Sequence, residues 1–399
     1  MGTGNKTRSL DAAARCLAVV CLIALILITF RLFNGADTPF LAFSVVGAAI
    51  VHFSNRPHWL EATITAVLAS ALGIAYVGSR GVFGQYPASG LVGMAAFLGL
   101  ASTLVLGAKA CRSTAALRPL LVATFCPGLV ILTNVALAAI IQFQPRVFDL
   151  FLYRFDGLLG GQLSFAIGRW FGAWPFLAAV CFVIYAALPL AELLIFLLFL
   201  RGQKMPANPL VLFVVTGVAG FVLYQVCPAT GPVHVFGSEF PKYPAPALPL
   251  QALSLDDVPR NALPSLHSAW ALLIWWSVRY SKNSIRICAS VFLALTLLAT
   301  LGLGEHYLID LVVAVPFAVA AMAACAGQLR RAIAACVLTL AWLTYLRFGQ
   351  PLFTLSPLGA WMAVLATLGI SIVLALANFS AIANPLNGRV TGPLARARG

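Results

Sequence analysis

Apolar residues fall along this chain in blocks close to the length that carries an α-helix across a bilayer, roughly 20 residues each, and short polar or basic intervals separate them. By that criterion about twelve blocks can be marked off, centred near Ile23, Ala48, Leu68, Ala96, Ile131, Tyr185, Val218, Leu272, Leu295, Val315, Leu338 and Leu365. The pattern predicts an all-α polytopic membrane protein with about 12 transmembrane helices. The first block, Cys16 to Phe30, also has the length of a signal peptide. Arg31-Leu-Phe-Asn-Gly follows it in place of a small-residue cleavage site, so it is assigned to a membrane helix. Pro127 and Gly128 predict a kink in the fifth helix. Pro189 and Glu192 fall in the sixth, where the carboxylate is expected to serve a structural role on the basic side marked by Arg201 and Lys204.

Two stretches interrupt the rhythm. Between Gln144 and Pro175, the charges of Asp149, Arg154 and Asp156 break an apolar sequence too short to span, which predicts an interfacial helix in the headgroup boundary. From Cys227 to Pro264 runs a long, proline-rich loop holding His234, Lys242 and Arg260, and loops of such length in compact domains are usually functional or disordered. Its middle predicts a partly extended lid. The next helices start near Ser265, Ser284 and His306.

Composition agrees with the pattern: 61% of residues are hydrophobic and 9% charged, with a mean hydropathy of +0.97. The net charge of +14 is spread over many loops, which marks orientation and a lipid surface and speaks against a nucleic-acid partner. Most basic residues, among them Arg112, Arg201, Lys204, Arg279, Lys282, Arg286, Arg330 and Arg331, fall in alternate loops. The positive-inside rule therefore predicts cytoplasmic termini, with the 227–264 loop, His267 and His306 on the outer face of a plasma or inner membrane. Nine cysteines are scattered singly with no Cys-x-x-Cys pair, so neither a disulfide framework nor a metal site is expected, and Cys227 reads as a packing residue.

Candidate chemistry concentrates between Val258 and Asp310, where His267 and His306 each stand at the mouth of a membrane helix. Two such imidazoles suit phosphoryl transfer, one attacking phosphorus while the other protonates the leaving oxygen. A carboxylate at i+4, as Asp310 is to His306, shares its helical face and can fix a tautomer. Ser265 is a plausible helix cap that would aim free N–H groups at a bound phosphate.

Pro264-Ser-Leu-His267-Ser268 and Glu305-His306-Tyr-Leu-Ile-Asp310-Leu311 resemble the second and third signature motifs of the type 2 phosphatidic acid phosphatase superfamily, closest to its inositol phosphorylceramide synthase and sphingomyelin synthase-like branch. Cys227-Pro-Ala-Thr-Gly-Pro-Val-His234-Val-Phe-Gly237 and Tyr153-Arg-Phe-Asp156-Gly-Leu-Leu-Gly160 are similar to further segments of that branch. The resemblance covers residues 119 to 326 and implies a six-helix catalytic core there, between accessory helices in 1–118 and two helices with a basic tail in 327–399. It implies that His306 is the nucleophile, forming a phosphohistidine, that Asp310 orients it, and that His267 is the general acid. No cofactor is implied, and the partners are membrane lipids, donor and acceptor.

The sequence also departs from the phosphatase pattern: Thr300 stands where an arginine is usual, and no Lys-to-Arg-Pro motif precedes the second motif. Phosphate binding is therefore expected from Arg260, with Arg154, Lys242 and Ser265, and substrate contacts from Asp149, Asp156, Tyr224 and His234. The function expected is lipid phosphotransfer. A lipid phosphate or polyprenyl-pyrophosphate phosphatase is the alternative, and a transporter or scaffold is the remote one.

Overall fold

A computed structural model describes residues 38–80, 89–245, 248–348 and 356–383. The helix expected near Ile23, the polar amino-terminal segment and the basic carboxyl-terminal tail lie outside the described residues. In chain order the helices are α1 (Thr38–Ser54), α2 (Trp59–Arg80), α3 (Ser89–Ala110), α4 (Leu117–Phe143), α5 (Asp149–Leu158), α6 (Leu163–Ala173), α7 (Pro175–Ala186), α8 (Leu188–Leu200), α9 (Pro209–Val226), α10 (Pro232–Phe236), α11 (Leu266–Ser277), α12 (Asn283–Gly302), α13 (Leu308–Cys325), α14 (Leu329–Phe348) and α15 (Pro357–Ala383).

Among the described residues, eight helices are long and apolar enough to cross a membrane, or up to nine if α6 and α7 are counted as one span. This supports an integral membrane protein, though with fewer full-length spans than the eleven apolar blocks that fall within the described residues. The shortfall has local causes. The block centred on Tyr185 is divided at Ala187, with Pro175 and Pro189 in the first turns of α7 and α8. The block centred on Leu272 forms only the 12-residue α11. That around Ala48 forms the 17-residue α1. Pro127 lies inside α4, which is 27 residues long from Leu117 to Phe143.

The chain divides into two compact units whose limits differ from the expected 1–118, 119–326 and 327–399 grouping. One comprises Met1–Phe143, Phe171–Gln203 and Ala294–Ala299. Its packing rests on Leu41, Val45, Ala96, Phe97 and Leu100, and on Ala48, Val51, Leu106, Leu120 and Leu193. Between membrane helices close fit replaces the hydrophobic effect as the source of cohesion. Gly99 shows this, because a Cβ there would lie 2.0 Å from the carbonyl oxygen of Val45, so α1 and α3 touch through their backbones. Lys109 pairs with Glu61 at 2.9 Å, and the buried His52 shares a 3.2 Å bond with Thr65. Glu192 is buried within this unit, with its Oε1 making no hydrogen bond.

The second unit, Gln144–Trp170, Lys204–Leu293 and Thr300–Gly399, holds every candidate site residue. Its core joins Phe151, Leu152, Phe155 and Phe165 to Tyr307, Ile309 and Val313, and also to Trp342, Leu343, Leu346 and Val364. The last four belong to α14 and α15, so these carboxyl-terminal helices belong to the unit that holds the site. The expected interfacial helix is α5, and the structure corrects its setting: every side chain from Asp149 to Asp156 is buried except Arg154. Its aromatic residues pack on protein. The 227–264 loop is likewise more structured than an extended lid. It contains α10, and its Leu253–Ser254 (β2) pairs antiparallel with Arg146–Val147 (β1), Arg146 opposite Ser254. Phe236 and Phe240 meet Phe165 edge-on, and the Tyr153 hydroxyl donates to the Ala245 carbonyl at 2.6 Å.

Candidate active site

Each catalytic candidate sits at a helix start, where backbone N–H groups lack partners within the helix and must find them elsewhere. At α11 the hydroxyl of Ser265 accepts from the Ser268 N–H at 3.3 Å and bonds the Ser268 hydroxyl at 2.9 Å. This cap starts the helix so that His267, partly exposed, occupies its second position. At α13 the Asp310 carboxylate turns back to accept from the Tyr307 N–H at 2.8 Å. The next two N–H groups, of Leu308 and Ile309, donate to the two oxygens of Asp156 at 2.7 and 3.0 Å. Two carboxylates from distant points in sequence thus fix the first turn of the helix that follows His306.

His306 is held from three directions. Its backbone N–H donates to the Thr300 carbonyl at 3.1 Å, and its ring Nδ1 lies 2.9 Å from the Ala262 carbonyl and 3.5 Å from Asp310 Oδ2. A carbonyl only accepts, so Nδ1 carries the proton and Nε2 keeps its lone pair. The ring is 2% exposed. Burial lowers its pKa to about 4, against the opposing pull of Glu305 and the Ala262 carbonyl. Near neutral pH it is therefore an uncharged imidazole with the lone pair on Nε2. His267 is close enough to interact with it electrostatically, and the Ser265 N–H, directed at the Asp310 carbonyl 3.4 Å away, joins the two helix starts.

Asp149, fully buried, performs for the 229–233 turn what Asp156 does for α13. Its oxygens accept from the Thr230 N–H at 3.1 Å and the Gly231 N–H at 2.8 Å. Gly231 has φ +97°, and a Cβ there would lie 2.3 Å from the Glu305 carbonyl oxygen, so glycine alone allows the turn to lie on the segment carrying His306. The Val233 N–H donates to Gly304 at 2.9 Å. Burial pushes the pKa of Asp149 up to about 6, opposed by these N–H donors. For Asp156, burial pushes it to about 8, the Leu308 N–H opposing and the Asp310 charge adding. The Tyr307 hydroxyl lies beside Asp149 yet outside hydrogen-bond geometry.

The structure therefore brings His267, His306, Asp310 and Ser265 together and gives other work to several expected substrate contacts. Asp149 and Asp156 are wholly buried and bonded to backbone, so they shape the site from behind. Arg260, expected to clamp phosphate, is 0% exposed. Its guanidinium donates to the carbonyls of Gln144, Val258, Pro145 and Leu255, which fastens the end of the long loop to the segment preceding α5. Arg154 and Lys242 are exposed. Tyr224 is buried, its phenol oxygen beside the Leu266 N–H. His234 is partly exposed, its Nε2 3.7 Å from Glu305 Oε2.

Sequence reasoning missed the Ala262 and Thr300 carbonyls, since backbone acceptors leave no residue signature. It also missed Glu305, whose position next to His306 was the available signal. With Arg260 as a loop staple, Arg260→Ala and Arg260→Lys are both expected to lower the thermal midpoint in detergent, because one ammonium cannot serve four carbonyls. A lysine variant with wild-type stability would argue against the staple.

No curated protein and no solved structure matches this chain. Residues 150–324, which contain both histidines, Asp310 and the loop before them, match the family model described as the PAP2 superfamily, and this supports a lipid enzyme of phosphatase or phosphotransferase type.

Proposed function

We propose that this protein is an integral-membrane lipid phosphotransferase that moves a phosphate-containing headgroup between lipids through a phosphohistidine at the outer membrane face. His306 Nε2 attacks phosphorus as the bond to the donor's alcohol oxygen breaks, and His267, whose pKa burial lowers to about 3 in the free protein, delivers to that oxygen a proton taken up together with the anionic donor. In the second half-reaction His267 takes the proton of an acceptor hydroxyl as its oxygen attacks the phosphohistidine, and the neutral His306 is restored. The Ala262 carbonyl and Asp310 hold Nδ1–H throughout and favour the positive charge that develops on the ring. The N-terminus of α13 already faces Asp156 and Asp310, which leaves the start of α11, beside His267, as the helix end offered to the phosphate. The outer-face assignment follows from the distribution of basic loops.

The observation that favours transfer over hydrolysis is burial: His306 is 2% exposed beneath a loop fastened by Asp149, Arg260 and β2. A water-poor site favours a lipid hydroxyl over water as acceptor. The test is a product assay in membranes with labelled phospholipid donors, with and without lipid alcohols. Acceptor-dependent formation of a new phospholipid is expected. Release of free phosphate or phosphoalcohol at a rate indifferent to any acceptor would overturn transfer in favour of hydrolysis.

A pH dependence follows from the His306 environment. The neutral ring is the nucleophile, and its pKa lies near 4 against an ordinary value of 6.5, so protonation of this group should silence the enzyme only as pH falls toward 4. The acid limb of kcat/KM assignable to His306 is expected there. A limb near 6.5 that vanishes in a variant retaining burst phosphorylation would assign it to another group.

A further inference from the structure

A second binding site lies at the other end of the hairpin that carries His267. Where α11 ends and α12 begins, a cavity of about 420 Å³ is lined by Trp275, Trp276, Arg279, Asn283, Arg286, Ile287 and Ser290. The walls are tied together, the Trp275 indole N–H donating to the Ser290 hydroxyl at 2.9 Å. The Arg279 guanidinium is set 4.6 Å over the Tyr280 ring. α12 runs 20 residues from Asn283 in this cavity to Gly302, just before the His306 segment, a length of roughly 30 Å at 1.5 Å per residue and about the thickness of the hydrocarbon core.

Charge identifies the occupant. No carboxylate occurs between Asp257 and Glu305, so the two arginines that line the cavity sit on a hairpin whose formal charge is wholly positive, and Arg279 also donates to the Tyr280 hydroxyl at 3.0 Å. A guanidinium prefers a planar, two-oxygen partner such as phosphate. From Ile287 in the cavity wall α12 leads to Val291, one turn on; the two are 63% and 51% exposed and form an apolar track for an acyl chain. Tryptophan beside arginine at the end of a membrane helix suits the headgroup level. We propose that this cavity binds an anionic phospholipid, its phosphate held by Arg279 and Arg286 and its chain lying along α12, at the membrane face opposite the catalytic histidines. This occupancy does not depend on which reaction the histidines perform.

The test uses the full-length protein in nanodiscs and in detergent, with phosphatidylglycerol, phosphatidylcholine and inorganic phosphate as probes. Native mass spectrometry and the thermal midpoint are read. Phosphatidylglycerol is expected to be retained and to raise the midpoint, with phosphatidylcholine doing neither. The double variant Arg279→Gln/Arg286→Gln is expected to weaken retention by about 30-fold, at about 1 kcal/mol per basic residue and 1.4 kcal/mol per tenfold. Arg286 is exposed, so the single Arg286→Gln variant remains a foldable test, with about 5-fold weakening expected on the same scale. Lys204→Gln, outside the cavity, should leave retention unchanged. Equal retention of both lipids, or equal losses in Lys204→Gln and Arg286→Gln, would replace the site with diffuse surface charge. A midpoint rise matched by millimolar phosphate alone would make it a site for the free anion and overturn the lipid assignment.

Discussion

Replacing His306 with alanine is expected to reduce turnover by on the order of 10⁴-fold or more, the scale seen when a covalent nucleophile is removed, while the protein still inserts and folds. The ring is small, and its polar contacts are the Ala262 carbonyl at 2.9 Å and Asp310 Oδ2 at 3.5 Å. Rapid quench with donor lipid labelled at phosphorus should trap an acid-labile phosphoprotein in the wild type and none in His306→Ala. His267→Ala makes the comparison more specific, because a missing general acid slows formation of that intermediate without removing the atom that forms it. Label retained by the His306 variant would assign the nucleophile elsewhere.

The second large effect concerns Asp156, which touches no substrate in the proposed mechanism. Its two oxygens accept from the Leu308 and Ile309 N–H groups in a fully buried setting. Asp156→Ala leaves both donors without a partner, at about 1–3 kcal/mol each, so a loss of about 2–6 kcal/mol in stability is expected, accompanied by a fall in kcat larger than any change in KM. Asp156→Asn keeps one acceptor and should fall between. The readouts are the thermal midpoint in detergent and the yield of phosphohistidine per folded molecule. A variant that melts earlier yet phosphorylates at the wild-type rate would confine Asp156 to stability and deny it any role in positioning His306.

Much of this arrangement could be read in the sequence, for reasons that differ by level. Apolar block length predicted an all-helical membrane chain because lipid imposes that choice, and the His306 to Asp310 spacing translates directly into one helical face. Block length could not anticipate where a helix would be cut short: α11 stops after 12 residues although the apolar sequence runs on through Val278. Charge in an apolar setting was the misleading signal. Asp149 and Asp156 read as substrate contacts and Arg260 as a phosphate clamp because buried charges are costly, and the structure buries all three by bonding them to backbone groups that sequence does not display. The partners of Arg260 lie as far off as Gln144, and those of Asp156 at 308 and 309. Such pairings become visible only once the chain has folded.

The carboxylate at Asp156 recognises amide hydrogens, which every residue except proline supplies. Leu308, half-buried, should therefore tolerate wide replacement in a saturation library. Proline alone would fail there for lack of the donor, a signature of amino-acid identity set by the backbone and hidden from any comparison of side chains.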